Sequence, residues 1–310
     1  MIDQADKLRS LVTKKQYGSD MQEAEHKLAT ETLSSKLNSR VITITSGKGG
    51  VGKTNLAVNL GLQLTKQGQR VVLIDADFGL ANVEVLLGRT PQNTFVDVLS
   101  GAKSVQDALT EGPMGLHFIS GGSGFGEMAN LTPPQTAYII DSLGFLDTIA
   151  DVVLIDTGAG IGSSVINFVM AADESIIVAT PEPTSINDAY AVIKTVKERK
   201  EKSGGTVPKF KIVVNRVDDE VEGKEIFERL AKVAQRFLSI DLCNLGSIPY
   251  DSQLVKAVKR QEPVAICFPT ASSSRSINNI CKRLLDIQHE IHEQSGIGVF
   301  MKRLVRIFEG

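Results

Sequence analysis

Residues 41–60 read VITITSGKGGVGKTNLAVNL. A strand-like run, VITIT, gives way to Gly47–Thr54, which satisfies G-x-x-x-x-G-K-[ST], and helix-forming residues follow at once. Glycines at 47, 49, 50 and 52 let the backbone turn tightly, so that successive N–H groups aim inward at phosphate oxygens. The helix that follows offers its N-terminus to the same negative charge. Lys53 is placed to reach the β- and γ-phosphates of a nucleotide, and the Thr54 hydroxyl to ligate Mg²⁺. A chance match in a glycine-rich loop would lack this strand before it and helix after it. Gly47, Lys48, Gly49, Gly50, Val51, Gly52, Lys53, Thr54 and the following Asn55 are therefore the candidate phosphate-binding residues. One of them is unasked for: the pattern needs no lysine at position 48.

Outward from this loop the chain alternates apolar runs with longer amphipathic ones. Strand candidates are VITIT (41–45), RVVLID (70–75), LHFIS (116–120), DVVLID (151–156), ESIIVAT (174–180), KFKIVVN (209–215) and NLGSIP (244–249). Several are apolar throughout, as parallel strands buried on both faces tend to be. NLAVNLGLQLTKQ, SSVINFVMAA and SINDAYAVIKTVKERK read as helices between them. The alternation predicts an α/β fold: a doubly wound, mostly parallel sheet flanked by helices, with short helical extensions at both ends. Two strand ends carry carboxylates. LIDAD puts Asp75 and Asp77 beyond one buried strand, and LIDTGAG puts Asp156 at the end of another, before Gly158 and Gly160. Each alone could cap the next helix. Beside a phosphate loop the three read together as a site, in the Walker B arrangement where a strand-end carboxylate such as Asp156 holds Mg²⁺ with Thr54.

The 310 residues are 42% hydrophobic and 23% charged, as in ordinary globular proteins, and the net charge of −2 leaves no global footprint for nucleic acid. No apolar run approaches the ~18 residues of a membrane span, and the charged start MIDQADKLRS is not read as a signal peptide. Cys243, Cys267 and Cys281 contain no C-x-x-C and read as reduced, structural cysteines of a cytoplasmic protein. His289 and His292 lack a third ligand and read as solvated. GGSGFGEM (121–128) lacks a following Lys-Thr and reads as a loop rather than a second nucleotide site. Three parts are expected: a polar extension (1–40), an ATPase domain (41–290) and a terminal helix (296–310).

GKGGVGKT, DADFGLAN, DTGAG, the PEP of TPEPTSINDAYAVIK, the asparagine of VVNR and IPYD together resemble the MinD/ParA family of deviant Walker A ATPases, over roughly residues 40–270. Within it, DADFGLANV, PEPTS-x-x-DAY and DQADKLR (3–9) are most similar to the FlhG (FleN, YlxH) group of flagellar number and placement regulators. The resemblance implies a slow ATPase using ATP and Mg²⁺ that forms a homodimer when ATP is bound. Lys48 then matches the signature lysine that crosses to a partner subunit's phosphates. Asp77 orients the attacking water, and Asp75 supports Mg²⁺. Asn82 matches a switch asparagine, Asn215 reads adenine beside Arg216, and Pro249 and Asp251 line the base pocket. At Gly158 the family often has proline or alanine, so a looser loop is expected there. The group also implies that Asp3, Gln4, Ala5, Leu8 and Arg9 stimulate the SRP-type GTPase FlhF, with flagellar switch-ring proteins as further partners. Read without it, that segment is a frayed leader with a small apolar stripe.

The tail IGVFMKRLVRIFEG is amphipathic. At 100° per residue, Phe300, Met301, Leu304, Val305, Ile307 and Phe308 join Ile297 in an arc of about 160°, opposite Lys302, Arg303 and Arg306. Such a helix either lies in an anionic membrane surface or packs on the protein's own core. Its terminal position and its resemblance to the MinD membrane-targeting tail favour the membrane, with Lys302 beside the inserted residues, and a cytoplasmic protein that joins the membrane in its ATP state. The alternatives are a ParA-type partition ATPase binding DNA, a MinD-like regulator of the division site and an ATP-dependent ligase. An iron–sulfur relative is excluded by where the cysteines fall.

Overall fold

The computed structural model describes residues 39–77, 82–121, 132–287 and 295–309. The N-terminal segment with Asp3, Gln4, Ala5, Leu8 and Arg9 lies outside them, as do His289, His292 and most of GGSGFGEM. Residues 38–310 form one compact unit, which includes the tail.

Eight strands build one sheet: β1 (Arg40–Ser46), β2 (Val71–Ala76), β3 (Thr110–Glu111), β4 (His117–Ile119), β5 (Val152–Ala159), β6 (Glu174–Ala179), β7 (Lys209–Val217) and β8 (Cys243–Pro249). Their order is β3-β4-β2-β5-β1-β6-β7-β8, parallel except for the short edge strand β3. Side chains alternate between two apolar layers, as a period of two requires. Ile42, Ile44, Leu73 and Leu154 enter one layer, whereas Val41, Val72, Ile74, Val153 and Ile155 enter the other. Among the described residues the helices of two turns or more are α1 (Lys53–Lys66), α2 (Pro133–Gly144), α3 (Ser163–Ala171), α4 (Pro183–Ser203), α5 (Glu220–Leu238), α6 (Ser252–Lys259), α7 (Ser272–Asp286) and α8 (Ile297–Glu309).

β1 lies centrally, with β5 on one side and β6 on the other. The order therefore reverses at β1, which opens a crevice at its carboxyl end, the usual ligand position in such sheets. α1 leaves that crevice on a left-handed Gly52 and packs Leu56, Leu60 and Leu64 into the core.

The tail helix α8 is docked. Ile297, Phe300, Met301, Leu304 and Val305 are buried in the layer that holds Ile139, Leu143 and Phe168. The Phe300 and Phe168 rings tilt together at 6.1 Å. Ile307 and Phe308 are only partly covered, and Lys302 and Arg306 face solvent. Asp147 fixes the start of the helix by accepting from Ile297 N (2.9 Å) and Gly298 N (3.2 Å). The same carboxylate accepts from Ser39 N (3.1 Å) at the entry to β1. The face expected to meet a membrane thus covers the chain's own core here.

Candidate nucleotide site

Gly50 (φ +76°) and Gly52 (φ +98°) hold the left-handed conformations that curl the loop toward α1. A side chain at Gly47 would overlap the backbone of Asp188, and one at Gly52 the amide of Asn215. The Ser46 hydroxyl donates to Lys48 O at 2.7 Å. Asn215, near the end of β7, donates from Nδ2 to Val51 O (2.7 Å), and its Oδ1 accepts from Arg216 N (2.9 Å). Expected at the base edge, Asn215 first braces the phosphate loop. One amide hydrogen remains for a base. Replacing it with alanine should destabilise the chain by about 1–3 kcal/mol in urea unfolding, because Val51 O loses a buried donor.

The carboxylates converge on the same crevice. Asp75 and Asp156 sit directly opposite each other on β2 and β5. Asp75 gathers three backbone N–H groups: Asp77 (3.1 Å), Asn82 (3.0 Å) and Val83 (3.1 Å). Asn82 therefore enters through its backbone, tying the segment after Asp77 to β2. Burial still pushes Asp75 up to about 6. Burial pushes Asp156 up to about 7, with the Thr54 hydroxyl pulling the other way and Asp75 adding to the rise. The Thr54 hydroxyl lies close by, but neither buried Asp156 oxygen has a partner at good hydrogen-bond geometry among the described residues. Lys53 is almost fully covered, and that burial lowers its pKa against the pull of Asp156 and Asp77. Two buried carboxylates, an orphaned oxygen pair and a threonine hydroxyl suit a hard divalent cation. No cluster of three acidic, histidine or cysteine groups that could hold a metal occurs among the described residues, so nucleotide phosphates would have to complete the shell.

Gly158 does not loosen its loop, because β5 runs on through it to Ala159. Instead it clears the space beside Asp77, whose Oδ1 would lie 3.4 Å from an added Cβ. Lys48 turns within its own chain to the Glu182 carboxylate and the Thr184 hydroxyl (3.2 Å) at the start of α4. Its ammonium holds the Glu182 carboxyl below the ordinary range. Pro249 lines a cleft of about 410 Å³ with Val217, Asp219 and Arg275, within the size range of small-ligand clefts. Asp251, expected to line the base pocket, is not among the residues that line this cleft. The carboxylate caps α6 through Gln253 N (2.8 Å) and holds Ser272 and Ser273 at the start of α7. Sequence reasoning missed Glu182 as a lysine partner, although it stands inside the quoted PEP.

Residues 42–264 match the CobQ/CobB/MinD/ParA nucleotide binding domain. The chain is 41% identical over 267 residues to the antiactivator FleN of Pseudomonas aeruginosa, covering 86% of this chain and 94% of that one. Identity to the flagellum site-determining protein YlxH of Helicobacter pylori is 35% over 277 residues, covering 87% and 91%. Among solved structures, MinD of Pyrococcus horikoshii complexed with Mg-ADP superposes with a TM-score of 0.62 at 25% identity, covering 82% of this chain and 100% of that one. With its strand, loop, carboxylates and relatives in agreement, the chain belongs to the MinD/ParA family of P-loop nucleotide-binding ATPases.

Proposed function

We propose that this chain is an ATP-dependent dimerising switch that associates with the membrane and sets flagellar number or placement. The observation that carries the reading is Lys48, an extra cation beside a complete phosphate loop. More than a third of its side chain is exposed, and its partners are a solvent-facing glutamate and a threonine hydroxyl, so it can be recruited by a phosphate. Lys53 and the loop amides would hold the phosphates of ATP, Asn215 and the Pro249 cleft its base, and Thr54, Asp75 and Asp156 its Mg²⁺. The ion would neutralise phosphate charge and fix the geometry of in-line attack. Asp77, beside the clearance left by Gly158, would orient the water. The loop sequences at 47–54, 75–77 and 156–160 contain no glutamine, which supports slow turnover.

The flagellar role is supported by identity to an antiactivator and to a flagellum site-determining protein. Action on the GTPase FlhF through Gln4, an amide able to position a water, and contact with switch-ring proteins belong to the same reading. Among the described residues no helix is long and apolar enough to cross a membrane, so association would run through α8. Deleting the gene and counting flagella per cell by electron microscopy tests this reading. Altered number or position is expected, restored by the wild-type chain and not by Lys53→Ala. Unchanged flagella in the deletion would refute it.

A further inference from the structure

A cavity of about 1030 Å³ opens at the end of the sheet opposite the phosphate loop, where β6 and β7 begin. Its walls come from the last turns of α3 and α4 and from the tail helix α8. Among the described residues that line it, the charges do not balance. Arg199, Lys200, Lys209, Arg303 and Arg306 face Asp173 and Glu174. Glu174 is already committed to Arg40, at 2.9 Å to both oxygens, and to Lys211, all three buried away from solvent. Asp173 pairs with Arg303. Two helix carboxyl ends contribute about half a negative charge each. Among the described residues, an excess of three lining cations over the two lining carboxylates thus leaves roughly two positive charges to be balanced.

Lys200 carries the imbalance most directly. Among the described residues its ammonium has no hydrogen bond and no carboxylate at ion-pair distance, although it is only half-exposed. Burial lowers its pKa and the like charge of Arg303 lowers it further, against the pull of Asp173. Such a group is stabilised by an anion brought into the cavity. A tetrahedral dianion matches both the charge left over and the mixture of point and forked donors offered by Lys200 and Arg199. Met170, Val207 and Ile307 supply apolar wall for the remainder of a small organic ligand.

We propose that this cavity binds a phosphate-bearing anion, held between Arg199 and Lys200 on the core and Arg306 on the tail. Because one wall belongs to α8, occupancy fastens the tail to the core and opposes its release. The site is separate from the nucleotide crevice, and the inference does not rest on the flagellar reading.

The test begins with the full chain saturated with ADP and Mg²⁺, so that the phosphate loop is filled. Amide hydrogen exchange of residues 297–309 is then followed with and without inorganic pyrophosphate. Pyrophosphate should slow exchange there at least threefold. Arg199→Gln combined with Lys200→Gln should need at least ten times more pyrophosphate for the same protection, while Lys200→Arg keeps it. ADP affinity, measured separately, should be unchanged in every variant and reports that they fold. A second arm identifies a lipid source. Pyrophosphate without effect, together with a tenfold loss of binding to phosphatidylglycerol vesicles in the double variant, would assign the phosphate to a lipid headgroup. Equal protection in wild type and double variant, or no protection with unchanged vesicle binding, would overturn the site.

Discussion

Lys48→Ala should still bind ATP yet lose the ATP-dependent dimer, and its hydrolysis should fall by about 10³-fold. A cation delivered in trans to a transferring phosphoryl group contributes about 10³–10⁵ in kcat. In the single chain Lys48 is parked on Glu182 and Thr184, with more than a third of its side chain exposed. An ion pair that open to solvent contributes little and is easily exchanged for a triphosphate. Lys53 is a different lysine: buried beneath the loop, it faces Asp156 and Asp77, and on the proposed reading it would serve its own chain's nucleotide. Asp77→Ala separates the two effects. It should slow hydrolysis by roughly 10²–10⁴, the usual worth of a positioned acid–base group, and accumulate as dimer because only the water loses its guide. Light scattering reads the dimer and phosphate release the rate. An ATP-bound dimer of Lys48→Ala would end the trans assignment.

How far the sequence reveals this arrangement depends on the length scale of each interaction. All seven apolar runs became strands, because a parallel strand buried on both faces shows its burial in its own composition. β3 escaped notice, being two residues long and paired at an edge. Asp75, Asp77 and Asp156 were legible because strand ends and a phosphate loop must share the crevice at the order reversal. Contacts between remote segments were not. Nothing in IPYD says that Asp251 ties Ser272 and Ser273 to α6, and nothing in VVNR says that Asn215 holds Val51 O. An amphipathic tail is ambiguous for a physical reason: a core groove and a bilayer ask for the same apolar face. The groove between α2 and α3 becomes visible only once the helices are placed.

Leu304→Glu should lower binding of the ATP-loaded protein to phosphatidylglycerol vesicles by at least 10²-fold. Leu304 has no exposed surface in the docked helix, and a glutamate there would be a buried, unpaired carboxylate costing several kcal/mol. The docked tail should therefore come loose, and the loosened tail should fail to insert. For the wild type, apolar burial alone does not choose between core and bilayer. Ile297, Phe300, Met301, Leu304 and Val305 each gain about 1.5–3 kcal/mol when fully buried in either place. Smaller effects decide. Lys302 and Arg306, already facing solvent, would each gain about 1 kcal/mol near an anionic surface. A dimer adds a second tail, and avidity raises binding by about 10²–10⁴ without a new contact. On the proposed reading nucleotide state should then control residence: one tail would stay on its core, whereas two would prefer the membrane. Lys302→Glu isolates the membrane contribution, since that side chain is exposed and its loss should leave docking and ADP affinity untouched. It should weaken vesicle binding about fivefold to thirtyfold, by removing one attraction and adding one repulsion. Leu304→Glu binding as tightly as wild type would leave α8 as a core helix alone, whereas wild type binding equally with ATP and ADP would break the link between dimer and membrane.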